Sequence, residues 1–131
     1  MEETTPARAP SRWHSPWSRW WRSRRVEVVD DSMTPTLLPG DRLYVNRGEY
    51  RDRPPQPGEV VVLRDPEDPK RWLIKRVHAI RESSGTLWVD VRGDNVERSR
   101  DSRHFGWVPL SQVSGLVWYR YRPPSREGPL R

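Results

Sequence analysis

Residues 58–80 decide the fold and read GEVVVLRDPEDPKRWLIKRVHAI. Two runs in this stretch, at 58–64 and 71–80, are rich in β-branched and aromatic residues, which favour strands. Pro57-Gly58, at the start of the first run, has the composition of a turn. The stretch therefore predicts two strands of a β fold.

The same pattern continues outward in both directions. Four further runs share this composition: VEVVD at 26–30, DRLYVNR at 41–47, TLWVDVR at 86–92 and VSGLVWYRY at 113–121. Turn residues such as Pro39-Gly40 and Ser83-Ser84-Gly85 stand between the runs. No long segment repeats apolar residues every 3.6 positions, so we expect no helix in this region beyond one turn after Ser32. We predict an all-β (mainly β) fold, either a small barrel or folded sheets.

Residues 1–25 have a different composition and read MEETTPARAPSRWHSPWSRWWRSRR. Ser15-Pro16 can begin a helix, and the tryptophans at 17, 20 and 21 would then share one side of it. Tryptophan and arginine on a short amphipathic helix are typical of a membrane interface. The alternatives are a disordered segment, or a helix whose tryptophans pack on the domain surface.

The net charge of +6 belongs to the two ends of the chain. Residues 1–25 carry +4, residues 120–131 carry +3, and residues 26–119 sum to −1. A nucleic-acid-binding domain usually has its basic residues on the folded face, so we expect no nucleic-acid partner. We assign residues 26–121 to the folded domain and residues 122–131 to a disordered tail.

The composition excludes cysteine chemistry, a membrane-spanning helix and a secretory signal. The chain has no cysteine, which rules out disulfides, thiolate catalysis and thiolate metal sites. The longest apolar run, Val60 to Leu63, is far shorter than the roughly 18 residues of a spanning helix. The N-terminal stretch lacks the apolar region of a secretory signal. We therefore expect no membrane crossing by this sequence.

Lys75 is an unusual residue in this chain. Only Lys70 and Lys75 among the 24 basic residues are lysines. Alternation along the strand at 71–80 divides its side chains between two sides. One side holds Leu73, Lys75, Val77 and Ala79, and the other holds Trp72, Ile74, Arg76, His78 and Ile80.

Burial in an apolar row would give Lys75 the property that a general base needs. Burial lowers the pKa of a lysine because it disfavours the ammonium form. Arginine cannot serve in this way because its guanidinium does not lose its proton in proteins. The alternative is a lysine at the end of the sheet that extends its ammonium group to water.

Ser32 is a candidate nucleophile in the stretch VVDDSMTPTLLPGD at 28–41. With Asp30 and Asp31 before it, the serine can equally begin a turn of helix, where the helix dipole favours carboxylates. These residues alone leave both interpretations open.

Four motifs together resemble the type I signal peptidase family, serine proteases with a Ser-Lys dyad. They are SMTPTL at 32–37, PGDRLYV at 39–45, PGEVVVLRDPEDPKRWLIKRV at 57–77 and GDNVERSRDSRHFGWV at 93–108. Their order matches that of the family, over roughly residues 26–121. The chain is also similar to the mitochondrial inner-membrane protease subunits and to nickel superoxide dismutase maturation proteases within this family.

The resemblance implies a role for each of several residues. Ser32 would attack the scissile carbonyl and neutral Lys75 would accept its proton, while the Ser32 backbone N–H would stabilise the oxyanion. Ser99 would orient the Lys75 amine, and Asp101 would pair with Arg103 to fix the loop beside the dyad. The resemblance implies neither a cofactor nor a metal.

The substrate implied by the resemblance is an extended peptide from a precursor protein. It would have small side chains at the first and third positions before the cut and would dock by strand addition. Met33 would help to line the groove. The expected activity is removal of leader or pro-peptides at a membrane surface, with or without an integral-membrane recruiting partner. The alternative location is the cytoplasm.

The chain departs from the family pattern at Asp30 and in two segments that it does not show. The residue two before the nucleophile is often serine or glycine in this family, and an ionised carboxylate beside a developing oxyanion would raise the barrier. We therefore expect Asp30 to be protonated, turned aside, or paired with a cation, for which Arg76 and Arg103 are candidates. The chain also shows neither the N-terminal membrane helices of the bacterial leader peptidases nor the large inserted β domain of longer members.

Three other functions compete with the peptidase reading. Self-cleaving repressors share the Ser-Lys chemistry, but residues 1–25 are too short for their DNA-binding domain. An inactive peptide-binding module of the same fold is the second alternative. The third is a basic protein that uses arginine and tryptophan to bind single-stranded nucleic acid.

Overall fold

Residues 23–130 are the part of the chain that this computed structural model describes. The strands are β1 (Ser23–Glu27), β2 (Arg42–Asn46), β3 (Val60–Asp65), β4 (Asp68–Ser83), β5 (Thr86–Arg92), β6 (Val108–Pro109), β7 (Val113–Arg122) and β8 (Gly128–Pro129). Helical segments in this part are the α-helix Ser102–Phe105 and the 3₁₀ turns Glu49–Arg51, Val96–Arg98, Leu110–Gln112 and Pro124–Arg126. The predicted mainly β fold is confirmed.

The eight strands form one antiparallel sheet in the order β1-β2-β7-β3-β4-β5-β6, with β8 paired to β7. Each of the six predicted runs contains part or all of a strand. The first strand lies earlier in the chain than its predicted run at 26–30, because β1 ends at Glu27 and Val29 is 83% exposed. After Glu27 the chain leaves the sheet and forms the loop that carries Ser32. We refer to residues 28–41 as the serine loop.

The turn of helix expected after Ser32 is present as a single α-turn, closed by a backbone hydrogen bond between residues four positions apart. The Leu37 N–H donates to the Met33 carbonyl at 2.9 Å, and the Thr34 N–H donates to the Asp31 carbonyl at 3.2 Å. The segment does not continue as a helix.

Two apolar clusters lie on opposite faces of β3. Val60 and Val62 belong to the first cluster, whereas Val61 and Leu63 belong to the second. A strand that is buried on both faces has a continuous apolar sequence rather than an alternating one. This explains the run Val60–Leu63 and places β3 in the centre of the sheet, between β7 and β4.

Strand β4 follows the predicted alternation as far as Val77. Leu73, Lys75 and Val77 are buried as expected. The register then shifts, since Val77 pairs with Val91 and Ala79 pairs with Asp90. This extra residue is a β-bulge, which moves Ile80 to the side of the second cluster. The predicted placement of Ile80 on the side opposite Val77 is therefore wrong.

Residues 123–130 fold back onto β7, where we expected a disordered tail. Gly128 and Pro129 pair with Arg120 and Tyr119, and Leu130 packs against the first apolar cluster. The Arg126 guanidinium donates to the buried carboxylate of Asp41. An apolar and a charged contact thus hold a segment whose composition alone resembles a loop.

The predicted N-terminal helix beginning at Ser15-Pro16 lies outside the described residues. Among residues 23–130, no helix has the length and apolar character needed to cross a bilayer.

Candidate active site

The serine loop is fixed by Asn95, which follows β5. The Asn95 N–H donates to the Ser32 carbonyl at 2.9 Å. Its side-chain amide donates to the Asp31 carbonyl at 3.0 Å and to the Thr34 hydroxyl at 2.9 Å. Ser32 itself is buried. These bonds hold the backbone on both sides of Ser32 against the loop after β5.

Asp94 joins the same loop to strand β4. The Arg76 guanidinium donates to both oxygens of Asp94, at 2.9 and 2.8 Å, and the Thr36 hydroxyl donates to one of them. Burial opposes ionisation of Asp94, but the bonds from Arg76 and Thr36 outweigh it and lower its pKa. The Asp94 N–H also approaches the Met33 sulfur at 3.4 Å.

Lys75 lies almost completely buried on β4, with 2% of its surface exposed. Its Nζ donates to the Ser99 hydroxyl at 3.0 Å. Burial lowers the pKa of Lys75 below the ordinary lysine value. The negative charges of Asp30 and Asp101 act in the opposite direction, whereas the positive charges of Arg71 and Arg103 add to the lowering.

Asp101 anchors the residue that contacts Lys75. The Ser99 hydroxyl donates to Oδ2 of Asp101 at 2.7 Å, and Arg103 donates to both carboxylate oxygens, at 3.0 and 2.6 Å. Asp101 is 0% exposed, and burial alone would raise its pKa. The bonds from Arg103, Ser99 and the Gly93 N–H instead hold that pKa well below its usual range.

The direction of the Ser99 hydrogen bond follows from this charge. An ionised carboxylate can only accept hydrogen bonds, so the single Ser99 hydroxyl proton points at Asp101. The Ser99 oxygen is then left to accept from Lys75. Hydrogen bonds therefore connect four side chains in one polar chain, in the order Arg103, Asp101, Ser99 and Lys75.

A cavity of about 580 Å³ has both Ser32 and Lys75 in its wall. Its lining is mainly apolar and includes Val26 of β1 and Ile74 of β4, together with Met33. Within the described residues, no hydrogen bond joins the Ser32 hydroxyl to Nζ of Lys75. In proteins without bound substrate, such contacts are often long and shorten only in the complex.

The Asp30 carboxylate accepts a hydrogen bond from the Ser32 N–H, the group that the family resemblance assigns to stabilising the oxyanion. Its Oδ1 accepts from the Ser32 N–H at 3.1 Å, and its Oδ2 lies 3.9 Å from the Arg71 guanidinium. The cation beside Asp30 is therefore Arg71. The two candidates, Arg76 and Arg103, pair with Asp94 and Asp101 instead.

Asp31 points to a different partner. Its carboxylate lies 3.3 Å from the Arg98 guanidinium, at the surface. The two adjacent aspartates thus pair with two different arginines.

Gly93 is a positioning residue that sequence reasoning did not single out. A Cβ at this position would lie 2.2 Å from the Ser99 hydroxyl oxygen and 2.6 Å from the Ser32 carbonyl oxygen. Only a glycine lets both segments approach this closely. Asp94, Asn95 and Arg71 were also not assigned to the site. The signal for the first two was present in the GDN of residues 93–95, whereas nothing local marks Arg71.

Comparison with known proteins places these features in a family. The family model described as "Signal peptidase, peptidase S26" matches residues 17–81. The chain is 35% identical over 125 residues to the mitochondrial ATP-independent inner membrane protease subunit 1a of Arabidopsis thaliana, covering 81% of this chain and 74% of that protein.

A bacterial relative gives the same result. The protein named "Probable signal peptidase I-1" of Synechocystis is 30% identical over 143 residues, which cover 79% of this chain and 73% of that protein. The mitochondrial inner membrane protease subunit 2 of Danio rerio is 33% identical over 121 residues, covering 77% of this chain and 65% of that protein. The family model and the sequence identities to these relatives agree with the serine loop and the buried lysine of the site. The chain belongs to the signal peptidase family, peptidase S26.

Proposed function

We propose that this protein is a serine endopeptidase in which Ser32 and Lys75 form the catalytic dyad. Membership of a peptidase family supports the reaction class. The observation that carries the assignment of the base is the burial of Lys75 beside Ser99, together with its lowered pKa. A lysine in that state can lose its proton in a pH range where an exposed lysine is charged.

The polar chain behind Lys75 gives the amine a defined orientation. A neutral amine has two hydrogens and one lone pair, and one hydrogen is committed to the Ser99 oxygen. The lone pair is then available on the side of the cavity that also contains Ser32. Ser99, Asp101 and Arg103 act through Lys75 and are positioning residues in this proposal.

The reaction proceeds through an acyl-enzyme. The Ser32 oxygen attacks the scissile carbonyl carbon while Nζ of Lys75 takes the hydroxyl proton. The Ser32 N–H stabilises the oxyanion of the tetrahedral intermediate. Lys75 gives the proton to the leaving amine as the C–N bond breaks, and a water molecule activated by Lys75 then hydrolyses the ester.

The substrate in this proposal is a leader or pro-peptide in extended conformation. Strand β1 is at the edge of the sheet in the described part of the chain, and its Val26 faces the cavity. An exposed strand edge beside an apolar cavity suits a peptide that adds as a further strand. Cleavage after small residues, with Met33 in the groove wall, is carried over from the family.

We also propose that the protein works at a membrane surface. The relatives named above include inner membrane proteases and their subunits. The tryptophan and arginine residues of 1–22 suit contact with the interface. An integral-membrane partner that recruits the chain belongs to the same proposal.

The test is cleavage of a defined peptide library by the full chain, read by mass spectrometry. We expect peptides cut after small residues by the wild type and by the control Ser111→Ala, and none cut by Ser32→Ala. Two results would refute the assignment: cleavage that survives in Ser32→Ala, or a wild type that cleaves no member of the library. The second result would favour the inactive peptide-binding module.

A further inference from the structure

The Asp30 carboxylate blocks the N–H group that the proposed reaction needs. Its Oδ1 is 3.1 Å from the Ser32 nitrogen, within hydrogen-bonding distance. A substrate carbonyl oxygen that becomes an oxyanion must bind that same N–H. The two acceptors cannot both use it with good geometry.

The charge of Asp30 makes the conflict larger. The Asp30 carboxylate forms an ion pair with Arg71, whose guanidinium lies 3.9 Å from Oδ2. Two negative oxygens at the same donor repel each other, most strongly after a bound peptide has displaced water from the cavity. Asp30 must therefore turn away before the oxyanion forms.

We propose that Arg71 is a positioning residue that draws the Asp30 carboxylate off the Ser32 N–H when substrate fills the cavity. Arg71 and Asp30 both line the cavity that contains Ser32 and Lys75. Arg71 is on β4, four residues before Lys75, so the strand that supplies the base also supplies this cation. The inference rests on the proposed Ser32-dependent peptidase activity.

The contact in the free protein has the properties that such a transfer requires. The side chains of Arg71 and Asp30 are 56% and 48% exposed, and their 3.9 Å separation is longer than a hydrogen bond. An exposed ion pair of this kind contributes little in water. A bound peptide would exclude water from it, and the attraction would then increase. Substrate binding therefore favours the Arg71-bound position of Asp30.

A double-mutant cycle tests this transfer in the full chain. The four proteins are the wild type, Asp30→Ala, Arg71→Ala and the double variant, and kcat is measured with the library peptide that the wild type cleaves fastest. We expect Arg71→Ala to lower kcat roughly three- to thirtyfold, which lies within the range of couplings between contacting residues. The charge of Arg71 also lowers the pKa of Lys75, so kcat is taken on the high-pH plateau, where Lys75 is neutral in all four proteins. There, removal of Arg71 in the Asp30→Ala background should have no further effect on kcat, because no carboxylate remains to be moved.

Two further variants separate this role from general effects. Arg71→Lys keeps the positive charge and is expected to restore most of the lost kcat. Arg98→Ala removes the matched arginine that pairs with the neighbouring Asp31, and it should leave kcat unchanged. Circular dichroism and thermal melting of each variant confirm the fold.

The inference is overturned if Arg71→Ala lowers kcat equally in both backgrounds, since Arg71 would then act on the substrate directly. It is also overturned if Asp30→Ala lowers kcat more than about tenfold, which is a rise of about 1.4 kcal/mol in the activation barrier. Either result leaves the peptidase proposal intact as long as cleavage depends on Ser32. Cleavage that persists in Ser32→Ala overturns both proposals.

Discussion

Neighbouring residues on one strand have opposite electrostatic roles. Lys75 faces the interior, where burial lowers its pKa. Arg76 faces the other side, where it stays charged and binds Asp94, which holds the serine loop. Strand alternation therefore separates a group suited to lose a proton from one that must keep its charge.

The pH dependence of the reaction should report Lys75. In the proposed mechanism the neutral amine of Lys75 is the base, so kcat/KM should rise with pH as Lys75 loses its proton, below the ordinary lysine pKa of about 10.4. Asp30 and Asp101 raise the pKa of Lys75, while Arg71 and Arg103 lower it. Asp30→Asn removes one of the raising charges, so the rising limb of the kcat/KM profile should move to lower pH.

The matched control is Asp31→Asn, whose carboxylate pairs with Arg98 instead. Its profile should coincide with that of the wild type. A limb that stays in place for Asp30→Asn, or moves to higher pH, contradicts this electrostatic account.

At the level of elements, the loop after β5 determines where Ser32 lies. Gly93 makes the closest approach, because a methyl group there would overlap the Ser99 hydroxyl and the Ser32 carbonyl. Gly93→Ala should therefore cost about 1–3 kcal/mol of unfolding free energy, the usual cost of overpacking. It should also lower kcat strongly, since Ser32 and Ser99 are both displaced.

Gly85→Ala is the comparison that separates stability from positioning. Gly85 has φ of +80° in the turn between β4 and β5, and a Cβ there meets nothing within 4 Å. Alanine at this position should destabilise by about 1 kcal/mol through the left-handed conformation while kcat stays unchanged. Denaturant unfolding and kcat of both variants decide the matter: equal kcat values for the two would refute the role of Gly93.

The strands were predictable from composition, but the details that shape the site were not. Runs of β-branched and aromatic residues mark the six main strands, and alternation correctly buries Lys75. The bulge after Val77 has no local signal, because it depends on the register with β5. The fold-back of residues 123–130 depends on the distant carboxylate of Asp41, which a local reading cannot supply.

The same limit applies to Asp30. Its proximity to Ser32 follows from two positions of separation, and the sequence alone raised the electrostatic conflict. Its partner Arg71 depends on the path of the chain after β1, which ends three residues earlier than the run VEVVD predicts. The burial of a side chain was therefore predictable where strand alternation sets it. The partner of a side chain was unpredictable where the path of a loop sets the geometry.

For the molecule as a whole, two buried carboxylates and one half-buried carboxylate should govern stability in acid. Burial opposes ionisation of Asp41, Asp94 and Asp101, but arginine and hydrogen-bond partners lower the pKa of each. The unfolded chain then binds more protons than the folded one below about pH 4. The stabilisation is complete above that pH and is lost as pH falls through the lowered pKa values, so Tm should drop steeply on acidification.

Calorimetry of single variants checks the source of this dependence. Asp94→Asn should show a shallower fall of Tm with decreasing pH than the wild type, because one of the three groups no longer titrates. Asp68→Asn, at an exposed position on β4, should keep the wild-type slope. A Tm that stays constant between pH 5 and pH 2.5 would contradict the linkage.

The central claim is that the Lys75 amine accepts the hydroxyl proton of Ser32, and that a positive charge elsewhere on β4 does not have this role. The chain offers an internal control, because Lys70 is the only other lysine and lies exposed on the same strand. The measurement is kcat/KM for Lys75→Met and Lys70→Met with one library peptide. Methionine keeps much of the lysine volume without an ionisable group.

Loss of the general base should lower kcat/KM of Lys75→Met about 100- to 10,000-fold. Lys70→Met should stay within about twofold of the wild type, as expected of an exposed substitution. A Lys75→Met protein that folds and retains more than about a tenth of wild-type kcat/KM, a change below about 1.4 kcal/mol, would contradict the account.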